Sequence, residues 1–221
     1  QATNFATSLI GSGVVDVAVA GGVEVMSRVP MGSSLGEGVG KAIPKSYFEK
    51  YEWTTQFEGA ERIDEKWGIT RDETDALGLS SQQRAARAWA EDRFSTQIVG
   101  VDAPDLGEDG KPTGTTHRVD RDEGLRETTL EGLSQLKAVA REDGVHTAGT
   151  SSQIADGAGA VLLATREKAE ALGLTPRARV VDTCLVGSDP ILMLTGPIDA
   201  THHLLERNSM TMGDIDLVEI N

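Results

Sequence analysis

Chemistry-bearing residues concentrate in Thr147-Ala148-Gly149-Thr150-Ser151-Ser152-Gln153-Ile154-Ala155-Asp156-Gly157-Ala158-Gly159-Ala160. Gly and Ala let a backbone come close to a ligand or to another backbone. Ser and Thr place hydroxyl donors and acceptors beside that backbone. Val161-Leu162-Leu163 follows as a short apolar run and reads as a buried strand. A small-residue loop entering a buried strand fits a site for a long, thin ligand. A tight turn before a strand is the plainer reading, and the loop taken alone leaves both open.

Few other groups offer reactivity. Cys184, the single cysteine, lies between Thr183 and Leu185 in an apolar run. A free thiol there behaves as a small hydrophobe, whereas a reactive thiolate needs an electropositive setting. His202 and His203 follow each other on a predicted helix and cannot share a face. His117 and His146 stand alone, and all four histidines read as solvated or locally bonded. The spaced His/Cys/carboxylate clusters of a zinc site are not seen, and no metal is expected.

The elements that must position these residues follow from periodicity and punctuation. Ala2 to Ile10 reads as a short buried helix closed by Gly11 and Gly13, and Val14 to Ala20 as a core strand ending at Gly21-Gly22. Residues 31–47, rich in Gly and Ser, read as a mobile loop. Phe57, Ala60, Ile63 and Trp67 have helical spacing, which Gly68 ends. Thr70 with Glu73 forms a capping box that opens a helix through Trp89. Ile98 to Val101 is a strand candidate, and Asp105 to Thr116 a hairpin or loop. Thr165 caps a helix closed by Gly173, and Pro176 marks a boundary. Ala178 to Leu185 reads as a second core strand, Pro197 opens a helix through Leu204-Leu205, and Asp214 to Asn221 is a final strand. The order is α/β with one large, mostly helical interruption.

Composition narrows the partners. A length of 221 residues suits one large or two small domains and suffices for a real core. The net charge of -14 argues against non-specific nucleic-acid binding, which needs a basic footprint, and against anionic membrane surfaces. One cysteine excludes an intrachain disulfide and makes a reducing compartment the default. No apolar run reaches the roughly 18–20 residues of a membrane span. The chain starts with Gln rather than Met, so an upstream targeting peptide stays open.

The 147–158 stretch resembles the Thr-Ala-Gly-Asn-x-Ser-x-x-x-Asp-Gly-Ala signature of thiolases, enzymes that make and cleave 3-ketoacyl-CoA, with Thr150 where Asn is usual. Gly21-Gly22-Val23-Glu24-Val25-Met26-Ser27 is similar to the family's Gly-Gly-x-Glu-x-Met-Ser. Further matches are Asp122-Glu123 with Arg126, then Thr128-Thr129-Leu130-Glu131 and Leu136-Lys137, and later Thr195-Gly196-Pro197-Ile198. Asp216-Leu217-Val218-Glu219-Ile220-Asn221 looks like the approach to the family's Asn-Glu-Ala-Phe motif. The matches keep the family's order from end to end. The nucleophilic Cys of a Cys-x-Ser-Gly turn would precede Gln1, and the Gly-His-Pro histidine and second catalytic Cys would follow Asn221, so the chain looks like the middle of a thiolase.

The resemblance implies two stacked α/β halves with a mostly helical loop domain inserted in the first. Residues 1–30 and 147–175 would belong to the N-terminal half, 31–146 to the insertion and 176–221 to the C-terminal half. It implies thiolytic cleavage of 3-ketoacyl-CoA, or the reverse condensation, through an acyl-enzyme on a Cys outside this chain. Coenzyme A would be a substrate, with no tightly bound cofactor. Asn221 would hold the oxyanion-hole water. Ser152 would meet the pantetheine arm together with Thr147, Ala148 and Gly149, and Gly132 and Leu136 would join the CoA-binding set. Arg126 would face the nucleotide phosphates, with the chain one residue shorter just after it, and Lys137 is a second candidate cation. Met193 would line the acyl pocket, and Gln56-Phe57 take the place of a His-Met-Gly run found in short-chain biosynthetic members.

Gln56-Phe57 and the runs 124–129 and 147–153 are most similar to actinobacterial thiolases of sterol and fatty-acid breakdown. Family membership further implies a homodimer or homotetramer and a cytoplasmic location. The alternative is a catalytically inactive, thiolase-like acyl-CoA-binding protein, separated from the enzyme by the upstream Cys. The 221 residues alone are expected to be inactive and to fold poorly, with an unpaired strand edge at Asn221.

Overall fold

Side-chain caps open α4 (Arg71–Ala90), α5 (Leu130–Ser134) and α6 (Arg166–Ala171), and each strand forms only where a second segment supplies its ladder. A computed structural model describes residues 1–35, 38 and 40–221. They fall into two compact units, Gln1–Arg62 with Ile154–Asn221, and Ile63–Gln153.

In the first unit, α1 (Ala2–Gly11) packs on β1 (Val17–Val25) and β4 (Asp156–Ala164). The two strands pair antiparallel without a register break, from Val17↔Ala164 to Val25↔Asp156. Small residues face one another mid-ladder, Gly21 opposite Ala160 and Gly22 opposite Gly159. A Cβ on Gly21 would lie 2.9 Å from the Gly159 carbonyl oxygen, so this close approach needs glycine. Thr165 accepts a hydrogen bond from the Lys168 N–H and caps α6 (Arg166–Ala171), which ends at Gly173 with φ +67°. Further on, α7 (Gly196–Arg207) carries Pro197 in its first turn.

The division between the units falls within α3 (Gln56–Trp67), which Gly68 closes at φ +67°. In the second unit, Thr70 and Glu73 complete a capping box at the start of α4 (Arg71–Ala90). β2 (Val101–Leu106) and β3 (Pro112–Val119) form an antiparallel hairpin, and α5 (Leu130–Ser134) is capped by Thr129.

Several sequence expectations need correction. Residues 156–160 belong to β4, so the small-residue stretch is half loop and half strand. Gly and Ala are poor strand formers alone; the partner β1 supplies the order. β1 likewise runs through Gly21-Gly22 to Val25, and β2 begins at Val101 where the expected strand ended. The predicted burial of Val161 to Leu163 is not realised: Leu162 is 55% exposed, Val23 on the partner strand 74%, and Phe5 on α1 64%. A two-stranded ladder with one short helix against it leaves most apolar side chains uncovered.

Ala178 to Leu185 and Asp214 to Asn221 form no strands. Among the described residues no neighbour offers them a ladder, and extended backbone needs one for its N–H and C=O groups. A 3₁₀ turn (Met212–Asp214), closed by Thr211 and Asp214, precedes the second segment. The expected loop 31–47 contains a 3₁₀ turn (Ser33–Leu35) and the start of α2 (Lys45–Phe48); Gly36, Glu37 and Val39 lie outside the described residues. Helix α2 forms beside an aromatic cluster in which Tyr47 meets Phe48, Tyr51 and Trp53 with ring centroids 5.2–6.2 Å apart.

Candidate functional site

One face of α4 organises the second unit. Arg71, Thr74, Asp75, Gly78 and Gln82 recur at helical spacing and so share a stripe. Arg71 Nη2 donates to the Leu133 and Leu136 carbonyls at 2.6 and 3.1 Å, one in and one just past the last turn of α5. Its Nε pairs with Asp75 Oδ2 at 2.8 Å, and the Asp75 side chain is only 5% exposed. Thr74 Oγ1 donates to the Arg71 carbonyl of its own helix at 2.9 Å and lies 3.2 Å from the Val145 carbonyl. A Cβ on Gly78 would come 2.6 Å from the Gly149 carbonyl oxygen, so helix and loop touch backbone to backbone. Gln82 Oε1 accepts the Arg126 N–H at 2.9 Å. The stripe thus locates α5, the signature loop and the Arg126 segment.

The loop is knotted on Thr147, which is fully buried. Thr147 Oγ1 accepts the Gly149 N–H at 3.0 Å, its own N–H reaches Thr150 Oγ1 at 3.0 Å, and its carbonyl accepts Ser151 Oγ at 2.8 Å and the Thr150 N–H at 3.1 Å. Gly149 has no room for a side chain: a Cβ would meet Leu133 Cδ2 at 2.4 Å and Leu136 Cδ1 at 3.2 Å. Gln153 Nε2 donates to the Gly124 carbonyl at 2.6 Å and ties the loop to the segment before Arg126. Ala148 and Ser152 are exposed, and among the described residues nothing bonds the Ser152 hydroxyl. A tight turn that holds its own polar groups while offering one free hydroxyl can meet the amide of an elongated ligand.

Gly132 donates its N–H to Thr129 Oγ1 at 3.0 Å in the first turn of α5. Leu133, Leu136, Gly149 and Thr147 form one packed group beside that turn. Arg126 is exposed, but its Nη1 donates to the Glu123 and Leu125 carbonyls at 2.8 and 3.3 Å, so part of its guanidinium is spent on its own turn.

In the first unit, Gln56 and Phe57 open α3. Thr54 Oγ1 donates to the Ile191 carbonyl at 2.8 Å, and Gly59 would place a Cβ 3.0 Å from the Leu192 carbonyl and 3.4 Å from Met193 Cγ. Asp189 Oδ1 accepts the Ile191 and Leu192 N–H groups and turns that loop back, leaving Met193 at φ +42°. The structure so brings the start of α3 and Met193 together. Asn221 ends an exposed segment without regular structure.

Cys184 is not in a strand. It is half-buried, with Sγ 3.7 Å from the Ala200 carbonyl of α7, and lines an open groove of about 320 Å³ with Asn4, Phe5, His203 and Arg207. Its segment is held by Asp182, whose carboxylate accepts from Arg207 Nε and Asn208 Nδ2, each at 2.7 Å. Those bonds, Arg207 foremost, lower the Asp182 pKa to about 2.

Sequence reasoning missed Arg71, Thr74, Gly78, Gln82 and Gln153. The signal was the recurrence of small and polar residues every three or four positions along α4, which hydrophobic periodicity does not register. Among the described residues no helix is long and apolar enough to cross a membrane, and no group of His, Cys, Asp or Glu is arranged to hold a metal.

The sequence is similar to known proteins throughout. It is 40% identical to the steroid 3-ketoacyl-CoA thiolase FadA6 of Mycobacterium tuberculosis over all of this chain and 53% of that protein. It is 37% identical to a 3-ketoacyl-CoA thiolase of Bacillus subtilis, over all of this chain and 56% of the relative. The chain spans about half the length of the curated relatives it matches. The solved acetyl-CoA acetyltransferase of Syntrophomonas wolfei superposes with a TM-score of 0.76 at 31% identity, covering 97% of this chain and 54% of that one, so the fold is the α/β thiolase fold. Residues 1–167 match the thiolase N-terminal domain and residues 174–221 the thiolase C-terminal domain, and this chain belongs to the thiolase family.

Proposed function

We propose that the protein carrying this chain is an acyltransferase that cleaves a 3-ketoacyl-CoA with coenzyme A, or runs the reverse condensation. The observation that carries this is the ordered match of thiolase N- and C-terminal domains across the chain. A cysteine thiolate attacks the 3-keto carbon, the C2–C3 bond breaks, and acetyl-CoA leaves after its carbanion takes a proton. The acyl-enzyme then passes its acyl group to a second CoA, which restores the thiolate. The acyl-carrying residue is a cysteine other than Cys184, which sits beside α7.

In this reading Ser152 and the turn Thr147–Gly149 hold the pantetheine arm, supported by the exposed hydroxyl on a turn that satisfies itself. Gly132 and Leu136 back that turn, Arg126 lies toward the CoA phosphates, Gln56, Phe57 and Met193 contact the acyl group, and Asn221 orients the oxyanion-hole water. Residues 31–146 act as the loop domain inserted within the N-terminal half (1–30 and 147–175), and residues 176–221 belong to the C-terminal half. Coenzyme A is substrate rather than resident cofactor. The protein works as a cytoplasmic homodimer or homotetramer, which sedimentation at micromolar concentration would contradict by showing monomer alone.

The test is loss of the magnesium-enolate absorbance of acetoacetyl-CoA, with CoA added to the intact protein. Turnover that Cys184→Ser leaves within about twofold is expected. Ser152→Ala should weaken CoA binding by about 0.5–1.5 kcal/mol, one neutral hydrogen bond. Binding without any turnover would replace the enzyme by an acyl-CoA-binding protein.

A further inference from the structure

We propose that His146 is a positioning residue for the signature loop and acts through Thr150; this rests on the reading of residues 147–152 as the CoA-binding loop. His146 precedes the loop, with its backbone carbonyl taking the Val139 N–H at 3.0 Å. Its ring lies between two groups. Nε2 is 2.7 Å from Asp64 Oδ2, a carboxylate on α3 whose side chain is 6% exposed, and Nδ1 is 3.2 Å from Thr150 Oγ1.

Counting acceptors gives the chain a direction. The Thr147 carbonyl already accepts Ser151 Oγ and the Thr150 N–H, which fills its two lone pairs. The Thr150 hydroxyl, 3.3 Å from that oxygen, would be a surplus third donor there. His146 offers a better acceptor. A carboxylate at Nε2 keeps the proton on that nitrogen and makes Nδ1 the acceptor. Thr150 Oγ1 then donates to Nδ1 and accepts the Thr147 N–H at 3.0 Å. His146, Thr150 and Thr147 thus form one directed hydrogen-bonded chain into the backbone of the turn, with the Asp64 carboxylate of α3 set 2.7 Å from the far nitrogen of the ring.

The consequence is that Thr150, two positions before Ser152, is held from outside the loop rather than by the loop alone. Loss of the link frees the Thr150 hydroxyl to compete for the Thr147 carbonyl and loosens the backbone that aims Ser152. None of these three side chains need touch the ligand, so binding suffers while chemistry does not.

The experiment measures KM for CoA and kcat on the intact protein. Thr150→Val, which keeps the shape and removes the hydroxyl together with its bonds to His146 and to the Thr147 N–H, should raise KM about five- to tenfold, with kcat within about twofold. Thr150→Ser should return KM to within about twofold of the parent. His146→Phe should raise KM no further than Thr150→Val, and the double variant should be no worse than Thr150→Val, because that variant already cuts the His146 link. If Thr150→Ser is as impaired as Thr150→Val, or the double variant is additive, the proposal is overturned. Ser152→Ala separates it from its premise. A weakened Ser152→Ala with unaffected Thr150→Val sinks the positioning role alone, whereas silence in both variants removes the loop from the CoA site and the proposal with it.

Discussion

Ser27 closes on Asp156 with both of its donors: its N–H lies 2.9 Å from Oδ1 and its hydroxyl 2.5 Å from Oδ2. The two residues sit at the open end of the β1–β4 ladder, just past the Val25↔Asp156 pair. One ends the Gly-Gly-x-Glu-x-Met-Ser run and the other belongs to the signature stretch. Two motifs that look independent in sequence are therefore the two strands of one ladder and its clasp. The hydroxyl first and the N–H second hold the Asp156 pKa below the ordinary carboxylate range.

Asp156→Ala should open that end of the ladder. Hydrogen exchange on the intact protein should show faster exchange at the Ser27 amide, which loses its acceptor, and a lower Tm. Unchanged protection at Ser27 would mean that the clasp does not hold the strands.

Gly78→Ala tests the backbone contact between α4 and the signature loop. Helix propensity alone predicts a gain of about 1 kcal/mol for this replacement. The added Cβ would lie 2.6 Å from the Gly149 carbonyl, and carbonyl backbone yields less readily than a flexible side chain. The clash should win, with a net loss of about 1–3 kcal/mol in denaturant unfolding. A more stable variant would show that loop and helix do not press together.

Arg71→Met removes the partner of a buried carboxylate. Asp75 would keep its burial and lose the guanidinium 2.8 Å away, and α5 would lose its donor to two carbonyls. Breaking one side of a buried pair costs about 3–5 kcal/mol. Replacing both residues, Arg71→Met with Asp75→Leu, should recover a good part of that loss. Equal stability of the single variant and the parent, by urea titration, would contradict this account.

The Asp182–Arg207 pair should set part of the acid sensitivity. Asp182 has its pKa lowered to about 2, whereas an unfolded aspartate titrates near 4. A depressed folded pKa gives stability that is fully present above the unfolded value and is lost as pH falls through the folded one. The parent's advantage over Asp182→Asn should therefore hold at neutral pH and shrink between about pH 4 and 2. Thermal melts across that range check it, and a pH-independent difference would refute the assignment.

Helix boundaries were legible because capping is settled within about four residues. Thr70 finds Glu73 and Thr165 finds the Lys168 N–H a turn away, Gly68 and Gly173 end their helices at positive φ, and Pro197 opens its helix; each stands where the pattern placed it. The family was legible too, from motifs whose order along the chain is itself information. Strands were not, because a strand is half of a pairing. Ala178 to Leu185 and Asp214 to Asn221 have strand composition and no ladder, while Gly157 to Ala160 has poor strand composition and a full one. The polar stripe Arg71, Thr74, Gly78, Gln82 and the chain from Asp64 through His146 to Thr150 left no apolar period to read. Their meaning depends on which carbonyl or hydroxyl a distant segment brings within about 3 Å, the reach of a hydrogen bond. Only tertiary structure supplies that neighbour.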